Sequence, residues 1–384
     1  MYDVIAIGAG PAGMAAAIEA ARSGQQVLLL EASERVGSKI LATGNGRCNL
    51  TNTAACAANY NAPEFVAPAL QAMPPAALRA WFEELGLLTF EEREGRVYPL
   101  SNTATSVLDV LRSACERFGV EVRCNCTVEG VERTSSGQLQ VRSTAGESFE
   151  AHRVVVACGG GSQLLGACGH SLVPAQPVLC SLACDATPIR GLNGVRVAAR
   201  ISLQRPGKPE ALATEEGELL FRDYGVSGIA IFNLSRFACA GDVLVVDLLP
   251  ALDEGALVKL LQQRIETLGG PSNEGLLVGM LHPAVVRAVL RAAKLKVSAP
   301  AQACDCGALA HTIKAFSLPC TGVGDAAHAQ VTRGGAALSE FDPTTLESKL
   351  VSGLYAAGEA LDIDGPCGGY NLQWAFASGL LAAR

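Results

Sequence analysis

A chain of 384 residues, 49% apolar and 17% charged, is long enough for two or three domains and has the composition of an ordered globular protein. A net charge of -7 without a Lys/Arg cluster argues against a nucleic-acid binder. The fourteen cysteines are scattered, and neither Cys124-x-Cys126 nor Cys304-x-Cys306 has zinc-site spacing, so no metal is expected and the thiols read as reduced, packed residues of a cytoplasmic protein.

In chain order, residues 2–8 predict a buried strand. Asp3 and the lack of a preceding basic segment argue against a signal peptide. Gly8-Ala9-Gly10-Pro11-Ala12-Gly13 then opens a helix that Gly24 ends, and residues 26–31 form a second buried strand finishing on Glu31. Residues 37–53, rich in Gly, Asn and Thr, read as a loop. Helices are expected over 75–86 and 103–118, and short strands near 120–124, 126–133, 138–143 and 149–150. Another buried strand, 154–157, runs into Cys158-Gly159-Gly160-Gly161.

The pattern changes near residue 188. Segments 195–204, 211–221 and 241–249 look β-like, while 253–268 and 282–295 look helical. A short strand over 350–357, a glycine-rich loop and a helix from about Leu372 follow. The chain stops inside that helix, which leaves a clipped C-terminus open. No apolar run is long enough to span a bilayer, and no membrane partner is expected.

The first motif carries chemistry. In Gly8-x-Gly10-x-x-Gly13, between strand and helix, the first glycine permits the turn, the second lets backbone approach a pyrophosphate, and the third packs helix on strand. Pro11 and Ala12 open a helix whose free N–H groups suit phosphate. Glu31, with Ala32 beside it, is expected to hold adenosine ribose hydroxyls. The basic, glycine-containing segment around Lys39 is typical of two-dinucleotide-binding flavoproteins, in which such a fold holds FAD. At the other end Gly358-Glu359 ends a strand where flavoproteins commonly place Gly-Asp, the carboxylate accepting a ribitol hydroxyl.

Gly37-Ser38-Lys39, the block from Thr43 to Asn52 containing Gly46-Arg47-Cys48-Asn49, the stretch 329–335, and the stretch 362–375 containing Gly368-Gly369-Tyr370-Asn371-Leu372-Gln373 together resemble the BaiN/RdsA-like FAD-dependent oxidoreductases (YhiN-like flavoproteins, including aminoacetone oxidases). The resemblance spans the chain. It implies an α/β fold with non-covalent FAD. A Rossmann-type domain, residues 1–188 and 339–384, would carry an inserted β-rich domain, 189–250, and an inserted mainly helical domain, 251–338, covering the flavin. One departure stands out: where relatives read Thr-His and later Pro, this chain has Arg222-Asp223 and Ile229, which implies a different substrate if that loop touches it.

The expected cofactor set adds Thr43, Gly44, Arg47, Cys48 and Asn49 from the second block. Arg47 either pairs with a pyrophosphate oxygen or fixes the loop, and Asn49 either bonds the flavin edge or caps the loop internally. Cys48 and Cys367 read as inert packing residues and Trp374 as core. Val128 is placed to offer backbone to adenine, and Ala157 and Gly159 end the strand that returns to the cofactor. Gly369, Tyr370, Asn371 and Leu372 form a helix start suited to the negative edge of a reduced flavin, a role extended to the N–H of Gln373.

The activity expected first is NAD(P)H-dependent reduction of an activated C=C bond in a small hydrophobic substrate, NADH or NADPH binding transiently because no second nucleotide fingerprint is visible. Alternatives are an aminoacetone oxidase-like amine oxidase using O2, and a redox module acting on a protein partner, for which no partner-binding segment is evident. Tyr370, Tyr224 and His328 are the conceivable proton donors.

Overall fold

The computed structural model describes residues 1–160 and 163–384; Gly161, part of the expected turn after the central strand, lies outside the described residues. The chain divides into two compact units, Met1–Gln176 with Val331–Arg384, and Pro177–Gln330.

The first unit is built on a seven-stranded sheet. The apolar runs become strands Tyr2–Ile7 and Val27–Leu30, paired in parallel and buried on both faces, as strands covered by helices must be. Glu121–Arg123 adds to the outer edge of Val27–Leu30. On the other side lies Ser148–Val156, one continuous strand where the sequence suggested two. Its first half pairs antiparallel with the meander of Val128–Arg133 and Leu139–Ser143, and its second half pairs parallel with Leu354–Ala356. A strand from the far end of the sequence therefore completes the sheet.

The helix Pro11–Arg22 follows the glycine turn. The last helix, Tyr370–Ala382, begins two residues earlier than expected and packs closely against it. Gly379 permits that approach, since a Cβ there would lie 2.2 Å from the Ala12 carbonyl oxygen. Trp374 is 1% exposed, in line with a core role, and Phe82 meets Phe376 edge-on at 5.0 Å. Residues 37–53, expected as a loop, instead contain the short helix Ser38–Ala42, a 3-10 turn Thr43–Gly46 and the strand Thr51–Asn52. Positive φ at Gly44 and Asn45 inside the 3-10 turn, and at Cys48 before the strand, keeps a regular period from developing. Elements without a sequence signal include helix Pro63–Ala72, disguised by Pro68, and strand Val331–Ala336, disguised by Gly334 and Gly335.

The second unit is a closed six-stranded barrel: Leu182–Cys184, Gly225–Ser227, Ala213–Arg222, Arg196–Gln204, Val243–Asp247 and Phe316–Val323. Alternation drives it; Ala199, Ile201 and Leu203 point inward at 0% exposure. Phe316–Val323 lies in the stretch expected to be helical, and it closes the barrel against Leu182–Cys184. Helices Glu254–Thr267, Pro283–Ala292 and Cys306–Lys314 share one core with the barrel through Leu257, Val289 and Ile313. No helix among the described residues is long and apolar enough to cross a membrane.

Candidate cofactor site

The parallel strands end together, and their hydrogen bonding continues past those ends. Gly8 N–H donates to Leu30 O (2.7 Å), Ala157 N–H to Ile7 O (2.8 Å) and Ala357 N–H to Val156 O (3.0 Å). This ladder gathers the glycine turn, Glu31, Ala157 and Gly358 at the carboxyl edge of the sheet, where ligands of open α/β sheets bind.

Each glycine of the fingerprint has a separate physical requirement. Gly8 has φ 99°, and a Cβ there would lie 2.5 Å from Ala157 O. A Cβ on Gly13 would lie 1.8 Å from Gly8 O. Gly10 differs: no atom lies within 4 Å of its would-be Cβ, so it borders open space. Gly10 is also the N-cap of the first helix, and no side chain caps it. Pro11 has no N–H and Met14 N–H already donates to Gly10 O, which leaves the Ala12 and Gly13 N–H groups facing outward from the helix start. Glu31 accepts from Ala9 N–H (2.8 Å) through one oxygen and from Ser33 N–H (2.9 Å) through the other. Those bonds fix the carboxylate and leave lone pairs for further donors. Ala32 beside it is exposed. Cys126 N–H bonds Glu31 O, which lays the approach to half-buried Val128 along this segment.

The second block is bound to the first. Gly37 N–H donates to Ala9 O (2.9 Å), and Lys39 Nζ pairs with Glu359 at 2.5 Å, joining positions expected to serve one cofactor. Thr43 Oγ1 donates to Ile40 O. Gly44 packs on Asn49, its would-be Cβ 2.9 Å from Asn49 N. The Arg47 guanidinium bonds Glu92 (2.8 Å) and Asn102 (2.5 Å) and lies 4.0 Å over the Tyr98 ring, the arrangement of a loop-fixing residue. Glu92, Asn102 and Tyr98 come from a segment without a motif, so no sequence signal pointed to them. Burial pushes the Cys48 thiol up to about 12, so it is inert.

The C-terminal block completes the site. Gly358 N–H donates to Ser378 Oγ (2.9 Å) and its carbonyl accepts from Trp374 Nε1 (3.0 Å), while a Cβ on it would lie 3.0 Å from Ala12 Cβ. Gly159 has φ 78° and nothing within 4 Å of its would-be Cβ. The Asn371 side chain clasps Gly365 and Pro366, Tyr60 OH donates to Tyr370 O (2.8 Å), and Asn52 Nδ2 donates to Gly368 O (3.0 Å). Gln373, fully buried, bonds Thr51 Oγ1 and Met73 O. Arg333 and Asp364 form a two-pronged pair at 2.6 and 2.8 Å beside this loop. Gly369, φ 103°, starts the last helix without a side-chain cap. Gln373 N–H donates to Gly369 O, so the outward N–H groups belong to Tyr370, Asn371 and Leu372, and Gln373 is not among them.

Every expected cofactor residue belongs to the first unit. Of the conceivable proton donors only Tyr370 stands there, and burial raises its hydroxyl pKa above the usual value. Tyr224 and His328 belong to the second unit, Tyr224 OH donating to Ser181 Oγ (3.2 Å) and exposed His328 bonding Asp325 (2.9 Å). Among the described residues no group of three or more His, Cys, Asp or Glu could hold a metal ion.

FAD fits this donor set. Two uncapped helix starts offer N–H groups to anionic or carbonyl oxygens, Gly10 leaves open the space its side chain would take, and Glu31 stands ready for hydroxyls. Asn49 Oδ1, buried beside Gly369, has no hydrogen-bond partner among the described residues.

The family described as HI0933-like protein Rossmann domain matches residues 2–384. A 3-dehydro-bile acid delta(4,6)-reductase of Clostridium scindens is 36% identical, with 98% of this chain and 97% of that protein aligned. Ribosomal RNA dihydrouridine synthases of Haemophilus influenzae and Escherichia coli are each 27% identical, covering 99% and 100% of this chain and 97% of each relative. The carboxyl-edge cradle and the match along the whole chain lead to one conclusion: the chain belongs to the HI0933-like family and is an FAD-dependent oxidoreductase.

Proposed function

We propose that this enzyme reduces an activated C=C bond of a small hydrophobic substrate at the expense of NADH or NADPH. The observation that carries this reading is the relative 36% identical over nearly its full length, whose name describes a bile-acid delta(4,6)-reductase. Bound FAD would supply hydride transfer between nicotinamide and substrate.

The chain's own residues have the following parts in this reading. Ala12 and Gly13 N–H hold the pyrophosphate at the first helix start, and Gly8, Gly10 and Pro11 shape that turn. Glu31 takes the adenosine ribose, with Ala32 and the Val128 backbone along the adenine. Lys39 and Glu359 meet at the ribityl chain, and Thr43, Gly44 and Cys48 hold the loop that Arg47 fixes. Ala157, Gly159 and Gly358 keep the carboxyl edge open. Gly369, Tyr370, Asn371 and Leu372 present the last helix's N–H groups to the pyrimidine side of the flavin, where negative charge collects on reduction. Tyr370 is the candidate donor that stands at that helix start, and burial raises its hydroxyl pKa above the usual value.

The test mixes the purified yellow protein anaerobically with NADH or NADPH and follows the flavin absorbance. Bleaching, followed by recovery of colour on adding a dienone steroid, supports the reading. Persistent colour with a pyridine nucleotide, and bleaching by a primary amine, would replace it with an amine oxidase. Bleaching without recovery by any enone would redirect attention to unmodified ribosomal RNA, given the names of the two relatives at 27% identity.

A further inference from the structure

The start of the last helix presents more than donors. Asn49 is 8% exposed, and its Oδ1 is fully buried without a hydrogen-bond partner among the described residues. It lies against the helix N-cap: the would-be Cβ of Gly369 is 2.9 Å from Asn49 Oδ1 and 2.3 Å from Thr51 O. The block around it is otherwise satisfied, because Leu50 N–H bonds Val97 O, Thr51 Oγ1 bonds Gln373, and Asn52 bonds Glu94 O and Gly368 O. A buried acceptor left unmade is costly, and few are retained in folded proteins.

The pairing of groups defines a ligand edge. Helix N–H groups alone would take any anion. A carbonyl oxygen beside them repels a phosphate or carboxylate and asks for a donor instead. A ligand that meets both needs a carbonyl next to an N–H, the edge of a cyclic imide. We propose that Asn49 is the residue that reads the imide edge of the flavin: Oδ1 accepts from flavin N3–H, while the N–H groups of residues 370–372 face the adjoining C2 carbonyl. This rests on the placing of the flavin at the last helix given above, and it extends that placing by naming what selects the ring. Asn49 is then a positioning residue that holds the ring in register with the helix start.

The test compares FAD with its N3-methyl analogue, which keeps every group except the N3–H donor. The flavin of the holoprotein is exchanged for either compound and dissociation constants are read from flavin fluorescence. The wild-type protein should bind FAD about tenfold more tightly than the analogue, and Asn49→Ala should bind the two alike. Asn49→Leu, which keeps the branched side-chain shape, serves if the alanine variant fails to fold. Its flavin-free thermal transition should be no lower than wild type, because an unmade buried acceptor has been removed. In 15N-labelled FAD the N3 proton should be protected from exchange in the wild type and not in the variant. Equal wild-type binding of FAD and analogue would overturn the role of Asn49 while leaving the flavin site standing. Undiminished discrimination in Asn49→Ala would do the same. If neither compound binds, the placing of the flavin fails and this role goes with it.

Discussion

Replacing Gly10 by alanine should separate cofactor binding from folding. Gly10 has φ -84° and ψ -170°, which alanine adopts freely, and its would-be Cβ meets nothing within 4 Å. The flavin-free fold should therefore lose about 1 kcal/mol or less, the difference between glycine and alanine at an N-cap. That corresponds to a fall of roughly 2–4 °C in its thermal transition. The new methyl group takes up space that a pyrophosphate must enter to reach the Ala12 and Gly13 N–H groups. Two hydrogen bonds to a charged group contribute about 1.5–3 kcal/mol each, so about 3–6 kcal/mol of binding is at risk. FAD affinity should drop roughly a hundred- to ten-thousandfold. Differential scanning of the flavin-free protein reads the first quantity and FAD fluorescence quenching the second. Should Gly10→Ala bind FAD within threefold of wild type while melting normally, the phosphates do not rest on this helix start, and the placing of the whole cofactor is wrong.

Gly13→Ala should show the opposite order of effects, because its Cβ would meet backbone at 1.8 Å. Overpacking against a backbone oxygen that cannot swing away belongs near the top of the usual ~1–3 kcal/mol, so the melting temperature should fall by about 6–12 °C even without flavin. Iodoacetamide at pH 8 should label exposed Cys56 and Cys239 in the native protein and spare Cys48, whose thiol burial pushes up to about 12; mass spectrometry that finds Cys48 alkylated in folded protein would contradict its packing role. Asp242, whose carboxyl the bonded Arg205 guanidinium holds below its usual value, stabilises the second unit fully above the unfolded pKa of 3.8, and that contribution is lost as pH falls through the lower folded value. Asp242→Asn should therefore lower stability at neutral pH and flatten the acid limb of a stability-against-pH curve; an unchanged acid limb would remove the pair from the account.

The sequence by itself determined the parts whose physics is local. A tight strand-to-helix turn needs glycine at Gly8 and Gly13, where a Cβ would strike backbone, and strand, helix and acidic residue follow at fixed spacing, so the βαβ unit could be read directly. The β-like pattern likewise announced three of the six barrel strands, Arg196–Gln204, Ala213–Arg222 and Val243–Asp247, but not the short strands or Phe316–Val323 that close the barrel. Other features depended on partners far away in the chain, and no local pattern encodes them. Arg47 stands in a conspicuous block, yet only the fold shows its charge engaged by Glu92 and Asn102. Lys39 and Glu359, 320 residues apart, meet because Leu354–Ala356 docks beside Ser148–Val156. Gln373, expected to offer its N–H to the flavin, spends it on Gly369, which only the helix start reveals. Gly379 carries no motif, yet a Cβ there would lie 2.2 Å from Ala12 O and hold the last helix off. Spacing along a chain fixes what a residue's neighbours in sequence require, but which polar atom is left without a partner among the described residues, as Asn49 Oδ1 is, depends on the sum of contacts from every segment packed around it.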